Sequence, residues 1–168
     1  ASLVLMSHLG RPDGQKVAFW QVDASLVKEF TLVDNTAALY PALTTFPYPK
    51  AGETNSAVRL GVVGAEGGDV RWMDVPGDPR NQYLARMDWA ESSGEIVLQR
   101  LNRLQNTLDI LIGDAVTGGV RTILTERDEA WVEVGDDFRW LAKGERLTWL
   151  SERDGWQRVY TRGRSGGE

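Results

Sequence analysis

The chain has 168 residues, of which 42% are hydrophobic and 26% are charged, values that are ordinary for one globular domain. The formal net charge of -5 leaves no global basic field, so neither nucleic acid nor an anionic membrane is expected as a partner. Cysteine is absent and His8 is the only histidine, which excludes disulfides, thiolate sites and His-rich metal sites; no cofactor is expected.

Apolar runs of five to seven residues with partial period-two alternation recur along the chain, a pattern that is typical of strands. None of them has a sustained period of 3.6 residues, and the early run Leu3–Met6 is too short to span a membrane. We therefore predict an all-β fold with strands at 16–21, 57–63, 70–75, 95–101, 107–112, 120–124, 130–134, 146–150 and 157–161.

Connections between neighbouring strands predict antiparallel hairpins at 64–69, 102–106 and 113–119. A polar turn that ends in glycine precedes an apolar run three times, at Gly14, Gly94 and Gly144. A propeller blade repeats every 40–50 residues or so. The pattern therefore predicts antiparallel meander blades, in a partial β-propeller of two to three blades. So few blades leave outer strands unpaired, and self-association is expected.

We expect a single domain over residues 1–168 with two departures from the blade pattern. Residues 30–57 contain Pro41, Pro47 and Pro49 and predict an extended arm rather than a strand repeat. Residues 162–168, with the sequence RGRSGGE, predict a flexible tail.

Five segments together carry a family resemblance: KVAFWQ at 16–21, YPKAGE at 48–53 followed by Asn55, RLGVV at 59–63, QRLNR at 99–103 leading to Gln105 and Asn106, and SERDGW at 151–156. In this order they resemble the N-terminal propeller domain of dipeptidyl peptidase IV-type enzymes, the prolyl oligopeptidase-like serine peptidases. The resemblance extends over about residues 12–160.

The resemblance implies a propeller that caps a separate C-terminal α/β-hydrolase domain and filters the access of peptide substrates to it. The catalytic Ser, Asp and His of the family lie in that hydrolase domain, and the family's paired glutamates have no counterpart upstream of 16–21. We therefore expect no catalytic residue here and a non-catalytic piece of a larger protein. In bacteria such a parent is expected to be periplasmic or secreted.

The segment matching residues 30–57 is, in that family, an arm that contributes to homodimerisation. The resemblance therefore implies a homo-oligomer, and aromatic side chains suit interface anchors. The alternative is that these residues fold back onto their own sheet. The predicted interface residues are Leu39, Tyr40, Pro41, Phe46, Tyr48 and Pro49.

Residues 3–12 instead resemble the substrate-binding strand and loop of phosphoglycerate kinase, where His8 and Arg11 would match contacts to the phosphoglycerate. No nucleotide loops follow, so we expect a strand without kinase activity.

Ser165 lies in GRSGG, which fits G-x-S-x-G, but a nucleophile elbow needs a helix after the serine and only Glu168 follows the motif. We expect Ser165 to be non-catalytic.

Two acidic pairs, at 128–129 and 136–137, lack the spacing of a calcium loop and predict solvated turns without metal. Four tryptophans are expected to fill contacts between blades: Trp89, Trp131, Trp140 and Trp149. The alternative function is a stand-alone peptide- or glycan-binding module on Trp-rich sheet faces. It requires exposed rings beside basic side chains, for which the candidates are Arg100, Arg103 and Arg153.

Overall fold

The computed structural model describes the backbone of residues 3–8, 14–91, 94–136 and 138–166, and side chains from residue 14 onward within those ranges. Within these residues the chain forms thirteen strands and no helix, which confirms the all-β prediction; no helix there is able to cross a membrane. The strands are β1 (Leu3–His8), β2 (Lys16–Asp23), β3 (Glu29–Asp34), β4 (Ala42–Pro47), β5 (Ala57–Gly64), β6 (Gly67–Trp72), β7 (Gln82–Trp89), β8 (Glu95–Asn102), β9 (Thr107–Asp114), β10 (Val120–Arg127), β11 (Arg139–Leu141), β12 (Arg146–Ser151) and β13 (Arg158–Gly163).

The strands form three successive antiparallel sheets and one separate hairpin. Sheet 1 has the order β1-β2-β5-β6, sheet 2 has β7-β8-β9-β10, and sheet 3 has β11-β12-β13. Strands β3 and β4 form a two-stranded sheet of their own, inserted between β2 and β5. Apart from this insertion each sheet is a meander, which is how propeller blades are built. The predicted two to three blades are confirmed.

Sheet 2 lies between the other two sheets, and its side chains alternate between two cores. Ile96 and Leu98 join Leu60 of sheet 1 in one hydrophobic cluster. Val97, between them on β8, joins Leu147 of sheet 3 in the other cluster. Strands β8 and β9 are consequently buried on both faces, and a strand of this kind reads as a nearly continuous apolar run. This is why they are evident in the sequence.

The three glycine turns precede the same strand of each sheet. Gly14 leads into β2, Gly94 into β8 and Gly144 into β12, the second strands of sheets 1, 2 and 3. Gly144 has a φ of 86°, a left-handed conformation that favours glycine. A Cβ atom there would also lie 2.8 Å from the guanidinium of Arg164. The repeat in the sequence is therefore the blade repeat of the fold.

The sequence pattern misses four strands: β3, β4, β7 and β11. Strand β7 is a sheet edge, and a bulge between Leu84 and Arg86 shifts its alternation, so that Leu84 is buried before the bulge and Met87 and Trp89 are buried after it. Strand β11 has only three residues. Strand β6 begins three residues before the predicted run at 70–75, because Gly64 pairs with Gly67 and leaves a two-residue turn.

The predicted strand at 130–134 does not form, and the prediction is wrong. This segment is a loop between β10 and β11. Val132 and Val134 pack against the core between sheets 2 and 3, while the Val132 amide donates to the Gln105 carbonyl of another loop at 2.8 Å. The apolar alternation here reflects burial of loop side chains rather than strand pairing.

The predicted flexible tail at 162–168 is also wrong for most of its length. Arg162 and Gly163 are the last residues of β13. The guanidinium of Arg164 pairs with the Glu95 carboxylate and donates to the Gly144 carbonyl at 2.9 Å. These contacts attach the segment to sheets 2 and 3. The final two residues lie outside the described part of the chain.

Candidate functional site: the hairpin arm and its base

The insertion between β2 and β5 is a hairpin arm, composed of β3, β4 and the tip at 35–41. Its strands pair in register, with Phe30 opposite Phe46 and Leu32 opposite Thr44. The hydroxyls of Thr31 and Thr45 are hydrogen-bonded across the strands at 2.9 Å. The prolines at 41, 47 and 49 predicted the arm but not the hairpin inside it.

An aromatic cluster gives the arm a small core of its own. The ring centroids of Phe30 and Phe46 lie 6.4 Å apart, and the Tyr48 ring lies 5.7 Å from Phe30 and 6.0 Å from Phe46. The Lys50 ammonium sits 4.7 Å from the centroid of Phe30. Aromatic pairs of this type contribute about 0.5–1.5 kcal/mol each. Phe46 and Tyr48 therefore support the arm internally.

The tip of the arm carries exposed apolar side chains. Leu39 is 91% exposed and Tyr40 is 80% exposed, so these two residues do not fold back onto sheet 1. Pro41 and Pro49 are exposed as well. Other apolar residues of the arm are exposed too, although the sequence pattern did not indicate them: Leu32, Val33 and Leu43. Strand alternation could not have revealed them, because Leu32 and Val33 are consecutive in β3, lie on opposite faces of the hairpin and are both exposed.

The base of the arm is anchored to the blades by arginines. The Arg80 guanidinium lies 2.8 Å from the Asp23 carboxylate and donates to the Asn55 carbonyl at 3.0 Å. Arg103, in the β8–β9 turn of sheet 2, donates to the carbonyl of Glu53. These bonds tie the two ends of the arm together and connect sheet 1 with sheet 2. The arm is thus held in a defined direction relative to the blades.

Asp34 caps the turn at the tip of the arm. One of its carboxylate oxygens accepts from the amide and the hydroxyl of Thr36, both at 2.8 Å, and from the amide of Ala37 at 3.3 Å. These bonds, first of all that from the Thr36 amide, hold the pKa of Asp34 below its ordinary value of 3.8.

Acid is expected to loosen the tip. Since the pKa of Asp34 is lower in the folded arm than in the unfolded chain, the cap is fully present above pH 3.8 and is lost as the pH falls through the folded value. We expect the amide NMR signals of Thr36 and Ala37 to stay constant above pH 3.8 and to move together below it. Asp34→Asn, which keeps the acceptor but does not titrate, should abolish the movement; identical titration in that variant would contradict the assignment.

The tryptophans divide into packed and exposed residues. Trp89 and Trp149 are buried in the two cores, as predicted, and Trp140 packs against the second core. Trp131 is 64% exposed, so the prediction that it fills a contact between blades is wrong. It lies in the loop after β10, where the neighbouring Val132 is the residue turned to the core.

The arginines considered for a stacking platform all have partners within the protein. Arg100 pairs with Asp109, which also accepts from the Thr125 hydroxyl at 2.6 Å. Arg153 pairs with Glu126, and Arg103 binds the base of the arm as described above. The three side chains therefore connect sheets and loops.

Ser165 lies in a turn closed by a bond of 2.9 Å from the Gly166 amide to the Gly163 carbonyl. His8 ends β1, opposite Ala18 of β2, as the predicted strand requires. The side chain of His8, together with Arg11, lies outside the described residues.

One residue of each acidic pair has a partner within the chain. Asp128 accepts from the Ala130 amide at 2.7 Å, and Asp136 pairs with Arg86 at 2.5 Å. Asp137 lies outside the described residues. In the part of the chain that the structure describes, no three His, Cys, Asp or Glu residues group as metal ligands.

Three successive four-stranded or three-stranded meanders with an inserted arm define a partial β-propeller. Over residues 11–168 the chain matches the family described as "Dipeptidyl peptidase IV (DPP IV) N-terminal region". The chain belongs to this family, and the resemblance found in its sequence segments is confirmed.

Relatives from animals and bacteria share this region. The chain is 32% identical over 130 residues to "Inactive dipeptidyl peptidase 10" of Rattus norvegicus, covering 76% of the chain and 16% of that protein. It is 26% identical over 132 residues to "Venom dipeptidyl peptidase 4" of Apis mellifera, covering 73% of the chain and 17% of that protein. The crystal structure of Porphyromonas gingivalis dipeptidyl peptidase 4 superposes with a TM-score of 0.81 at 27% identity, covering 94% of the chain and 22% of that structure. The chain thus spans less than a quarter of these proteins.

Proposed function

We propose that this chain is a non-catalytic propeller portion of a dipeptidyl peptidase IV-type serine peptidase. In this role it restricts the access of peptides to a hydrolase domain and contributes to a homodimer through the hairpin arm. Family membership over residues 11–168 supports the class of protein. The exposed apolar tip of the arm is the observation that supports the interface.

The arm has the properties of an interface element before any partner is present. Its own aromatic cluster and the bonds at its base keep it ordered, so association would cost little additional conformational entropy. Leu39 and Tyr40 offer large apolar surface at the tip. Exposed apolar patches on an ordered scaffold mark interaction sites, and aromatic anchors at their centre carry most of the binding energy.

Light scattering over a concentration series tests this proposal. We expect the wild-type chain to have twice the mass of one chain, and the double variant Leu39→Asp/Tyr40→Asp to dissociate. Loss of the two anchors should raise the dissociation constant of the dimer at least about 30-fold, because one interface hot spot contributes about 2 kcal/mol or more.

Val116→Asp is the matched control, because Val116 is also an exposed apolar residue but lies in the β9–β10 turn, away from the arm. It should leave the mass unchanged. A wild-type chain that stays monomeric at every concentration would contradict the interface. A dimer that survives in the arm variant would place the contact elsewhere, for example at the sheet edges.

A further inference from the structure

A cavity of about 140 Å³ lies between the loop after β10 and the turn that joins β12 to β13. The loop is attached to the turn beside the base of the arm, since the Val132 amide donates to the Gln105 carbonyl at 2.8 Å. The Gln99 side chain donates to the Gly135 carbonyl at 2.8 Å. The walls of this recess, here called the Trp131 cavity, are therefore ordered.

The lining of the Trp131 cavity contains buried polar groups. Glu126 is only 7% exposed, and its carboxylate accepts from the Ser151 hydroxyl at 2.9 Å and pairs with Arg153. Trp149 also lines the cavity, but its indole nitrogen is fully buried and therefore out of reach of a bound ligand. Since Glu126 is already paired, the charge available to a ligand comes from the other lining residues.

The rim of the cavity combines an aromatic ring with excess negative charge. Trp131 is exposed, and its indole N–H donates to the Glu133 carboxylate at 3.3 Å. Asp128 and Glu152 also line the cavity, whereas Arg127 is the one basic residue of the lining besides the paired Arg153. Apart from the Glu126–Arg153 pair, the lining therefore carries three carboxylates and one guanidinium.

We propose that the Trp131 cavity binds the cationic side chain of a lysine or arginine in a peptide. The rim carboxylates attract the positive charge, and the face of a tryptophan ring is the best aromatic partner for a cation. Neither dimerisation through the arm nor restriction of access requires this site, so it goes beyond the function proposed above.

Titration of the full chain with N-acetyl-arginine amide and N-acetyl-lysine amide tests the site, with indole N–H signals recorded by NMR. We expect the signal of Trp131, the exposed ring at the rim, to shift in a saturable manner with both ligands. N-acetyl-norleucine amide, which is apolar and uncharged, and N-acetyl-glutamate amide should cause no shift.

Variants locate the site and separate it from general surface effects. Trp131→Ala should weaken binding at least fivefold or so, and Glu133→Gln and Glu152→Gln about two- to fivefold each. Trp156→Ala is the matched control, because Trp156 is 73% exposed but does not line the cavity; it should leave binding unchanged. Equal binding of norleucine, preferential binding of glutamate, or no response to either cation up to about 10 mM would overturn the proposal.

Discussion

Leu98→Ala is expected to lower the free energy of unfolding by about 2–5 kcal/mol, the range for removing a fully buried leucine side chain. Leu98 is 0% exposed and lies on β8, in the core between sheets 1 and 2. Because sheet 2 is packed on both faces, its neighbours have little room to collapse into the space left behind. The substitution therefore weakens the contact between two blades.

Urea unfolding followed by tryptophan fluorescence measures this effect. Leu104→Ala is the control of the same chemistry, since Leu104 is 77% exposed in the turn that follows β8; it should change stability by less than about 0.5 kcal/mol. Leu98→Met conserves volume and should lower the free energy of unfolding by less than about 1.5 kcal/mol. This variant keeps the test usable if Leu98→Ala does not fold. Equal losses for Leu98→Ala and Leu104→Ala would show that the two sheets are not joined by this core.

Gly118→Ala is expected to destabilise the chain by about 2–5 kcal/mol, although it adds a single methyl group. Gly118 has a φ of 86°, in the left-handed region. A Cβ atom at this position would clash with the Trp72 carbonyl oxygen. The Gly118 carbonyl accepts from the Asp74 amide at 2.9 Å, so this turn of sheet 2 is bonded to the segment that leaves sheet 1. Any displacement of the turn would break that bond.

The adjacent glycine provides the control for this prediction. At Gly119 a Cβ atom would lie 3.4 Å from the Thr117 hydroxyl oxygen, and the backbone is outside the left-handed region. Gly119→Ala should therefore change the free energy of unfolding by less than about 0.5 kcal/mol in the same urea experiment. If the two alanine variants have equal stability, the close approach of this turn to Trp72 does not contribute to stability.

The arm and the Trp131 cavity lie at the same end of the sheets. The arm follows β2, the cavity loop follows β10, and the turn between them follows β8, all strands that run toward this end in the antiparallel order. Arg103 and Gln105 of that turn contact the base of the arm and the cavity loop, respectively. The base of the arm and the Trp131 cavity are therefore connected through one turn, whereas the proposed dimer contact lies at the other end of the arm, at Leu39 and Tyr40.

The blade architecture was predictable because its signals are local. Strands β8 and β9 are buried on both faces, which makes them continuous apolar runs, and the turn at Gly144 requires a residue that adopts positive φ. Strand β7 was not predictable from such signals. A bulge between Leu84 and Arg86 changes which of its residues are buried partway along the strand, and that bulge is defined only by the pairing with β8.

The sequence by itself determined the all-β class, the blade repeat, the position of the arm and the family, since each depends on residue order and short-range conformational preference. Only the tertiary structure decided which side chains are packed and which are exposed to solvent. Phe46 and Tyr48 pack within the arm while Leu39 and Tyr40 remain exposed, and Trp131 is exposed while Trp149 is buried. The residue types are alike in each case, and the difference arises from packing against residues distant in the chain: Phe30 for Phe46 and Tyr48, and the core between sheets 2 and 3 for Trp149.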